Sequence, residues 1–474
     1  MDISNSNLSR ISIIYYLRPY IFFCSFRGRA CGRRMAESSR TDIELPLDLQ
    51  REILVRLPVK SLCRFRCVSK LWHSIIADPR FVEAHDAYSE YRPKLLIFRA
   101  PNCEIRKDLT WSVDGASSSK ELYYSVDYPQ QSNGLTQTLT YDVNICDQVD
   151  VYMSETVGRL YFLGFRDFVR IRNPTTREVF ELKTMDTEAG LDAKLVDITN
   201  QFGFDPVEKK HKVFSTWKLE RSTEKIIESR VFVLGESGWR RPLYDYPPNL
   251  RETYVQRGTC INGVIFSTAY TAQDEHLVAL HVRSEKFQMI PLPRGAVDTV
   301  LIELSRHATL AQDDGVDLPW NEVTLWVLED LDNQVWKQKT CVIPWREADP
   351  EWHITLHGGT PTGELMLTPM DFSEPFFLFL YNVENNVLRR IELQGPHNRL
   401  GEQNHPYTTS AGAQVRFHVE SLRSPRGLSA PFEHQHESGG PICDRQSRDS
   451  RTRQQRGTRK KSDAKWQIWG EGNK

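Results

Sequence analysis

The first strongly periodic stretch of the chain, LPLDLQREILVRLP at residues 45–58, sets Leu49, Ile53, Leu54 and Leu57 at i, i+4, i+5 and i+8. That spacing lines one face of an α-helix and predicts an amphipathic helix. Pro46 falls where a helix start tolerates proline, Asp48 and Glu52 lie early, and Arg56 lies late, as the helix dipole favours. Pro58 ends it. A second short helix is expected from about Lys60, burying Leu62, Phe65 and Val68. Ser69 can cap a third, burying Leu71, Trp72, Ile75 and Ile76 before DPRF breaks it. Three short helices cannot hide all these apolar groups among themselves, so the pattern implies that something else covers the remainder.

After about Arg92 the period changes. Short β-branched and aromatic runs alternate with polar turns. Six segments share the form strand, charged or Asn/Asp turn, strand: residues 169–182, 202–217, 230–243, 278–292, 325–343 and 378–393. Such hairpins must stack on neighbours to bury both faces, which favours a propeller over a large sandwich or an incomplete barrel. AQVRFHVESL, with Val415, Phe417 and Val419 alternating, is the expected last strand. The fold class is therefore α+β multidomain: a small N-terminal helical unit, then a large all-β, propeller-like domain. The expected divisions are 1–40 (an unstructured extension), 41–86 (helical), 93–422 (β domain) and 423–474 (a disordered basic tail).

Composition refines this picture. The formal net charge is −1 over 474 residues, so no global field draws the chain to nucleic acid or an anionic membrane. From Arg423 onward twelve Lys/Arg face six Asp/Glu, a net of +6, leaving −7 for residues 1–422. The tail contains the basic cluster RGTRKK at 456–461, of the nuclear-import kind. The nine cysteines form no CxxC pair, which favours a reducing compartment, cytoplasmic or nuclear. ISIIYYLRPYIFFCSF at 11–26 is cut by Arg18-Pro19 and falls short of a membrane span, and Met35 opens a more conventional start. No membrane or glycosylation role is expected, although Asn7 opens a sequon.

Catalytic motifs are missing: there is no GxxxxGK[ST], GxGxxG after a strand, HExxH or GxSxG. His353 and His357 lie four apart, but in a stretch that reads as a strand and without a third ligand. Cys63 and Cys67 share a helix face and read as small packing residues. Arg56, Lys60, Arg64, Arg66 and Lys70 could track phosphates, but residues 43–85 hold seven Lys/Arg against five Asp/Glu, and a solvated or partner-facing surface is the better reading. Trp217, Trp239, Trp326 and Trp336 lie in the hairpins and are expected in the core. Trp320, Trp345 and Trp352 are better placed for loop surfaces, although a structural role fits them at least as well. No cofactor and no metal are expected.

Residues 43–85 closely resemble the F-box as found in the large plant group of F-box proteins. The match rests on Leu45-Pro46, Ile53-Leu54, Leu57-Pro58, Ser61-Leu62, RFRCVSKLW and Asp78-Pro79 with Phe81. IRNPTTRE, FGFDPVEKKHKVF, VFVLGESGWR, CINGVIF, SEKFQMIPLP, LWVLED and QVWKQK are similar to the F-box-associated domain that follows in that group. VGRLYFLG at 157–164 departs from the usual pattern, and the basic tail has no counterpart in it. The resemblance implies a non-catalytic substrate receptor of an SCF-type, cullin-based ubiquitin ligase. Its F-box would bind a Skp-type adaptor and its β domain a target protein. It further implies a docking patch, or its support, made of Leu45, Pro46, Leu49, Ile53, Leu54, Leu57, Pro58, Leu62, Val68 and Trp72. A binding module outside a ligase is the first alternative, and an enzyme on a propeller scaffold the second.

Overall fold

The computed structural model describes residues 46–99, 121–129, 136–140, 142–146, 155–164, 168–184, 194–221, 224–250, 254–255, 258–270, 275–313, 321–345, 354–369, 376–394 and 414–426. Both expected tails, apart from residues 423–426, lie outside them.

The helical unit has four helices where the pattern predicts three: α1 (Leu47–Val55), α2 (Val59–Phe65), α3 (Lys70–Ala77) and α4 (Pro79–Ser89). Ser69 caps α3, its Oγ accepting from Trp72 N at 3.1 Å. DPRF does not end helicity; it restarts it. Asp78 Oδ1 accepts from Arg80 N at 2.9 Å, and Pro79 takes the first helical position, where its missing N–H costs nothing.

The remainder forms six sheets. The first contains β1 (Lys94–Arg99), β2 (Glu121–Asp127) and β4 (Asp142–Cys146), while β3 (Thr136–Thr140) leaves for another sheet. The second is β5 (Glu155–Val157), β6 (Leu160–Gly164), β7 (Phe168–Arg172) and β8 (Val179–Lys183). The third is β9 (Lys194–Asp205), β10 (Lys210–Arg221) and β11 (Glu224–Val233). The fourth is β12 (Tyr254–Val255), β13 (Thr259–Ile261), β14 (Val264–Tyr270), β15 (Glu275–His281) and β16 (Phe287–Pro291). The fifth is β17 (Val300–Leu304), β18 (His307–Asp313), β19 (Glu322–Asp330) and β20 (Val335–Val342). The sixth is β21 (Ile354–Gly359), β22 (Glu364–Pro369), β23 (Phe376–Asn382) and β24 (Val387–Gln394). β25 (Gln414–His418) returns to pair with β1, Val415 opposite Ile97.

The sheets are blades of a propeller. β25, β5, β9, β13, β17 and β21 touch in that order, and β21 meets β25 again, closing an inner ring. Closure is locked twice at the first blade. β25 arrives from the far end of the chain, and β3 crosses to the outer edge of the sixth blade, pairing parallel with β24. Ring closure removes the open edges that a flat sheet would expose. The apolar core lies in the seams between blades: Ile302, Leu304 and Leu325 meet Leu356, Leu367 and Phe379, and Phe162 and Ile171 meet Phe202 and Val213.

Of the six hairpins read from sequence, two lie in the third blade and none in the first, so hairpin count and blade count agree only by coincidence. Four share one turn. Asn173, Asp205, Asp330 and Asn382 accept backbone N–H groups two or three residues on, and Arg177, Lys209, Gln334 and Asn386, each four residues later, adopt positive φ. An Asx-turn followed by a left-handed residue matches the twist of the flanking strands. VGRLYFLG, the departure from family pattern, is the β5–β6 hairpin. Its two turn residues Gly158 and Arg159 both have positive φ, 51° and 75°.

Trp217 and Trp326 are buried as expected, and Trp239 and Trp336 pack partly buried against blade seams. Trp345 takes the structural role left open for it, packing edge-on against Phe379 at 5.1 Å. Trp320 and Trp352 lie outside the described residues.

Candidate docking surface on the helical unit

The four helices enclose Leu54, Val59, Leu62, Ile75, Ile76, Phe81 and Val82. Trp72 closes this core, its ring edge-on to Phe65 at 5.0 Å and its Nε1 donating to Gln50 Oε1 at 3.0 Å. A buried indole needs such a partner for its N–H. His85 sits beneath, with Nε2 3.0 Å from the Leu57 carbonyl, and burial pushes its pKa down. The neutral ring therefore donates from Nε2 and ties α4 to the α1–α2 corner.

The ten residues expected at the docking patch divide. Leu54, Leu62 and Trp72 are core, Leu62 at 0% exposure. Ile53, Leu57 and Val68 are half-buried, and Pro46, Leu49 and Pro58 are exposed, Leu49 at 50%. Leu45 lies outside the described residues. Two apolar residues join the exposed group without having been singled out for it: Leu47 at 43% and Leu71 at 49%. Leu71 was expected inside beside Trp72. α3 turns Trp72, Ile75 and Ile76 into the core and leaves Leu71 outside.

Of the basic residues, Arg56 pairs with Glu52 at 3.2 Å, and Arg51 lies 3.8 Å from Asp78. Burial raises the Cys63 thiol above its ordinary pKa, which keeps it protonated and suits packing. Among the described residues no three His, Cys, Asp or Glu side chains gather as a metal site would require, and no helix is long and apolar enough to cross a membrane. His357 contacts Thr368 Oγ1 at 2.6 Å and stands at a bulge of β21, whereas His353 lies outside the described residues.

Exposed apolar residues on a small helical unit, carried by a closed β-propeller, are therefore the geometry to be matched. Residues 43–83 match the model of the F-box domain, and residues 114–414 that of the F-box associated beta propeller domain. The chain belongs to this family of plant F-box proteins. It is 29% identical over 370 residues to the F-box protein DOR of Arabidopsis thaliana, covering 74% of this chain and 88% of that one. It is 28% identical over 382 residues to the F-box protein At1g30790 of the same plant, covering 74% and 90%. Among solved structures, apo AztD from Citrobacter koseri matches 69% of this chain and 98% of its own at 8% identity and a TM-score of 0.31, a likeness that carries no argument.

The F-box is bolted to the propeller by side chains that no periodicity announces. Asp86 of α4 is buried, and its carboxylate accepts from Arg423 Nε at 2.6 Å and Ser421 Oγ at 2.7 Å and pairs with Arg159 at 3.1 Å. Arg159 also reaches Glu90 at 2.9 Å. Its left-handed φ of 75°, unusual for a non-glycine residue, is held by the two-residue β5–β6 turn and aims the guanidinium at α4. Lys209, on the β9–β10 turn, pairs with Glu83 at 2.8 Å and lowers the pKa of that carboxylate.

Residues 419–426, which follow the ring-closing strand, run into this junction. The sequence reading expects disorder from Arg423 onward, but Arg423 is buried. Asn173 Nδ2 donates to the carbonyls of Ser421 and Arg423, both at 2.8 Å. Glu420 accepts from Val59 N at 3.4 Å and pairs with Lys94 at 3.5 Å. Leu422 enters the F-box core itself. Part of the cover that the helices lack thus comes from the other end of their own chain.

Proposed function

We propose that this F-box protein is the substrate receptor of an SCF-type, cullin-based ubiquitin ligase, binding a Skp-type adaptor through the F-box and a target protein through the propeller. The observation that carries the reading is the exposed apolar group Pro46, Leu47, Leu49, Pro58 and Leu71 on a helical unit whose core is otherwise closed. Burying each leucine is worth roughly 1.5–3 kcal/mol, so a few such anchors suffice for a stable interface. The role is scaffolding: the receptor makes no bond but raises the effective concentration of a target lysine beside a ubiquitin-charged enzyme. A cytoplasmic or nuclear location suits it.

Strand direction supports a division of labour between the two rims of the propeller. The β5–β6, β7–β8 and β9–β10 turns all reach the F-box side, through Arg159, Asn173 and Lys209. The opposite strand ends, among them Gly164, Phe168, Arg221 and Glu224, therefore belong to the other rim, which is left for the target. Among the described residues the third blade has the longest strands. β9 and β10 have 12 residues each, about 40 Å when extended, and Leu195, Ile198, Trp217 and Leu219 pack along them with Ile226 of β11 while Val196 stays exposed.

The test is affinity capture of the full chain and of Leu49→Glu/Leu71→Glu with a purified Skp-type adaptor and cullin. Capture of both by the wild type and of neither by the variant is the expected result. Adaptor capture undiminished in the variant overturns the patch. Adaptor without cullin favours a module working outside a ligase.

A further inference from the structure

We propose that the F-box is completed only when the propeller has closed, so that the adaptor-binding surface reports the integrity of the whole β domain. The inference rests on the adaptor reading for its functional consequence, but its structural part stands on the junction alone.

Residues 419–426 begin at the residue after β25, the strand that pairs with β1 to shut the ring. They cannot take their place on the F-box unless β25 has taken its own. Once there, they supply four things that the helices do not contain. Leu422 fills the F-box core, Glu420 accepts from the first N–H of α2, and Ser421 and Arg423 satisfy the buried Asp86. Without them Asp86 would keep Arg159 alone as charge partner among the described contacts, and the α2 N–H would lose its acceptor. A unit of some forty residues has little core to spare, and a missing leucine together with a half-satisfied buried carboxylate removes much of its stability.

The route is also fixed by the propeller at a third point. Asn173, in the second blade, is buried and holds the Ser421 and Arg423 carbonyls. Thr156 Oγ1 donates to the Phe417 carbonyl at 3.1 Å, and Thr175 Oγ1 meets His418 Nε2 at 3.2 Å. The F-box is made first on the ribosome, and the residues that finish its core come near the end of the β domain. A chain that stops early, or whose ring fails to shut, therefore presents an unfinished docking surface. Coupling of this kind is reciprocal: an adaptor that binds the finished F-box must stabilise ring closure by the same factor.

The experiment compares the full chain, a chain ending at Arg426, a chain ending at His418 and full-length Leu422→Ser. Hydrogen exchange is followed by mass spectrometry in peptides from α1–α4 and from β14–β19, together with affinity for a purified Skp-type adaptor. The chain ending at Arg426 should match the full chain. The chain ending at His418 and Leu422→Ser should keep slow exchange in β14–β19, while α1–α4 exchange at least tenfold faster and adaptor affinity falls at least tenfold. Unchanged α1–α4 protection in both overturns the proposal. If the shortened chain also loses β14–β19 protection, Leu422→Ser, which keeps β25, decides. Faster α1–α4 exchange with adaptor affinity unchanged refutes the gating of the adaptor. If the intact chain fails to bind the adaptor while the exchange difference is present, the adaptor reading fails and the completion of the F-box stands.

Discussion

Asp86 and Arg423 lie 337 positions apart in the chain and meet at 2.6 Å in a buried ion pair between α4 and the residues that follow the ring-closing strand. Arg159 approaches the same carboxylate from the second blade at 3.1 Å. One acidic side chain thus holds together the F-box, the propeller and the C-terminal segment.

Asp86→Ala should cost about 3–5 kcal/mol, because it leaves the buried Arg423 without its carboxylate and Arg159 with Glu90 only among its described ion pairs. Chemical denaturation measures this loss. Asp86→Asn should cost less, since an amide still accepts from Ser421 or Arg423. A loss below about 1 kcal/mol for Asp86→Ala would show the pair to be screened by solvent.

The division of the docking residues predicts opposite phenotypes for neighbouring leucines. Leu62→Ala, at full burial, should lower stability by about 2–5 kcal/mol. Leu49→Glu, at an exposed position, should change stability by no more than about 0.5 kcal/mol and abolish adaptor capture. Thermal melts alongside pull-downs separate the two effects.

Asn173→Ala removes both the donor to two strap carbonyls and the acceptor of the Thr175 and Thr176 N–H groups. Each buried group left unsatisfied costs about 1–3 kcal/mol. The expected signature is faster amide exchange in residues 419–426 together with α4, with the fifth blade unaffected.

Buried histidines make the fold acid-sensitive, His211 and His418 among them. Burial, reinforced by Arg423, holds His211 down to about 3, and burial with Arg159 and Lys94 does the same to His418. Unfolded, each titrates near 6.5, so the unfolded chain binds more protons as pH falls below that value. Their contribution is complete above pH 6.5 and is lost progressively towards pH 3, at about 1.4 kcal/mol per histidine per pH unit. Between pH 6.5 and 5.5 the carboxylates are still largely ionised. The melting temperature should fall in that window, and His211→Gln should show a shallower fall than the wild type.

Local chemistry was legible in the sequence alone. The α1 helix, the Ser69 cap, the alternation of Val415 and Phe417 and the charged or Asn/Asp turns of the hairpins are short-range patterns set by helical or strand period and by turn geometry. They sufficed for a small helical unit followed by a propeller-like β domain, and the resemblance of residues 43–85 supplied the F-box. What they could not say is which apolar residue faces which neighbour. Leu71 and Trp72 are equally apolar in sequence, and only the packing against Phe65 and Gln50 chooses the indole. In sequence Leu422 is the last residue of the expected final strand, and Asp86 lies beyond the last helix that the pattern predicts. Their roles arise from β25 closing the ring onto β1, a contact between chain ends that no local period encodes. Only tertiary structure brings the last residues of the β domain into the core of the first helices.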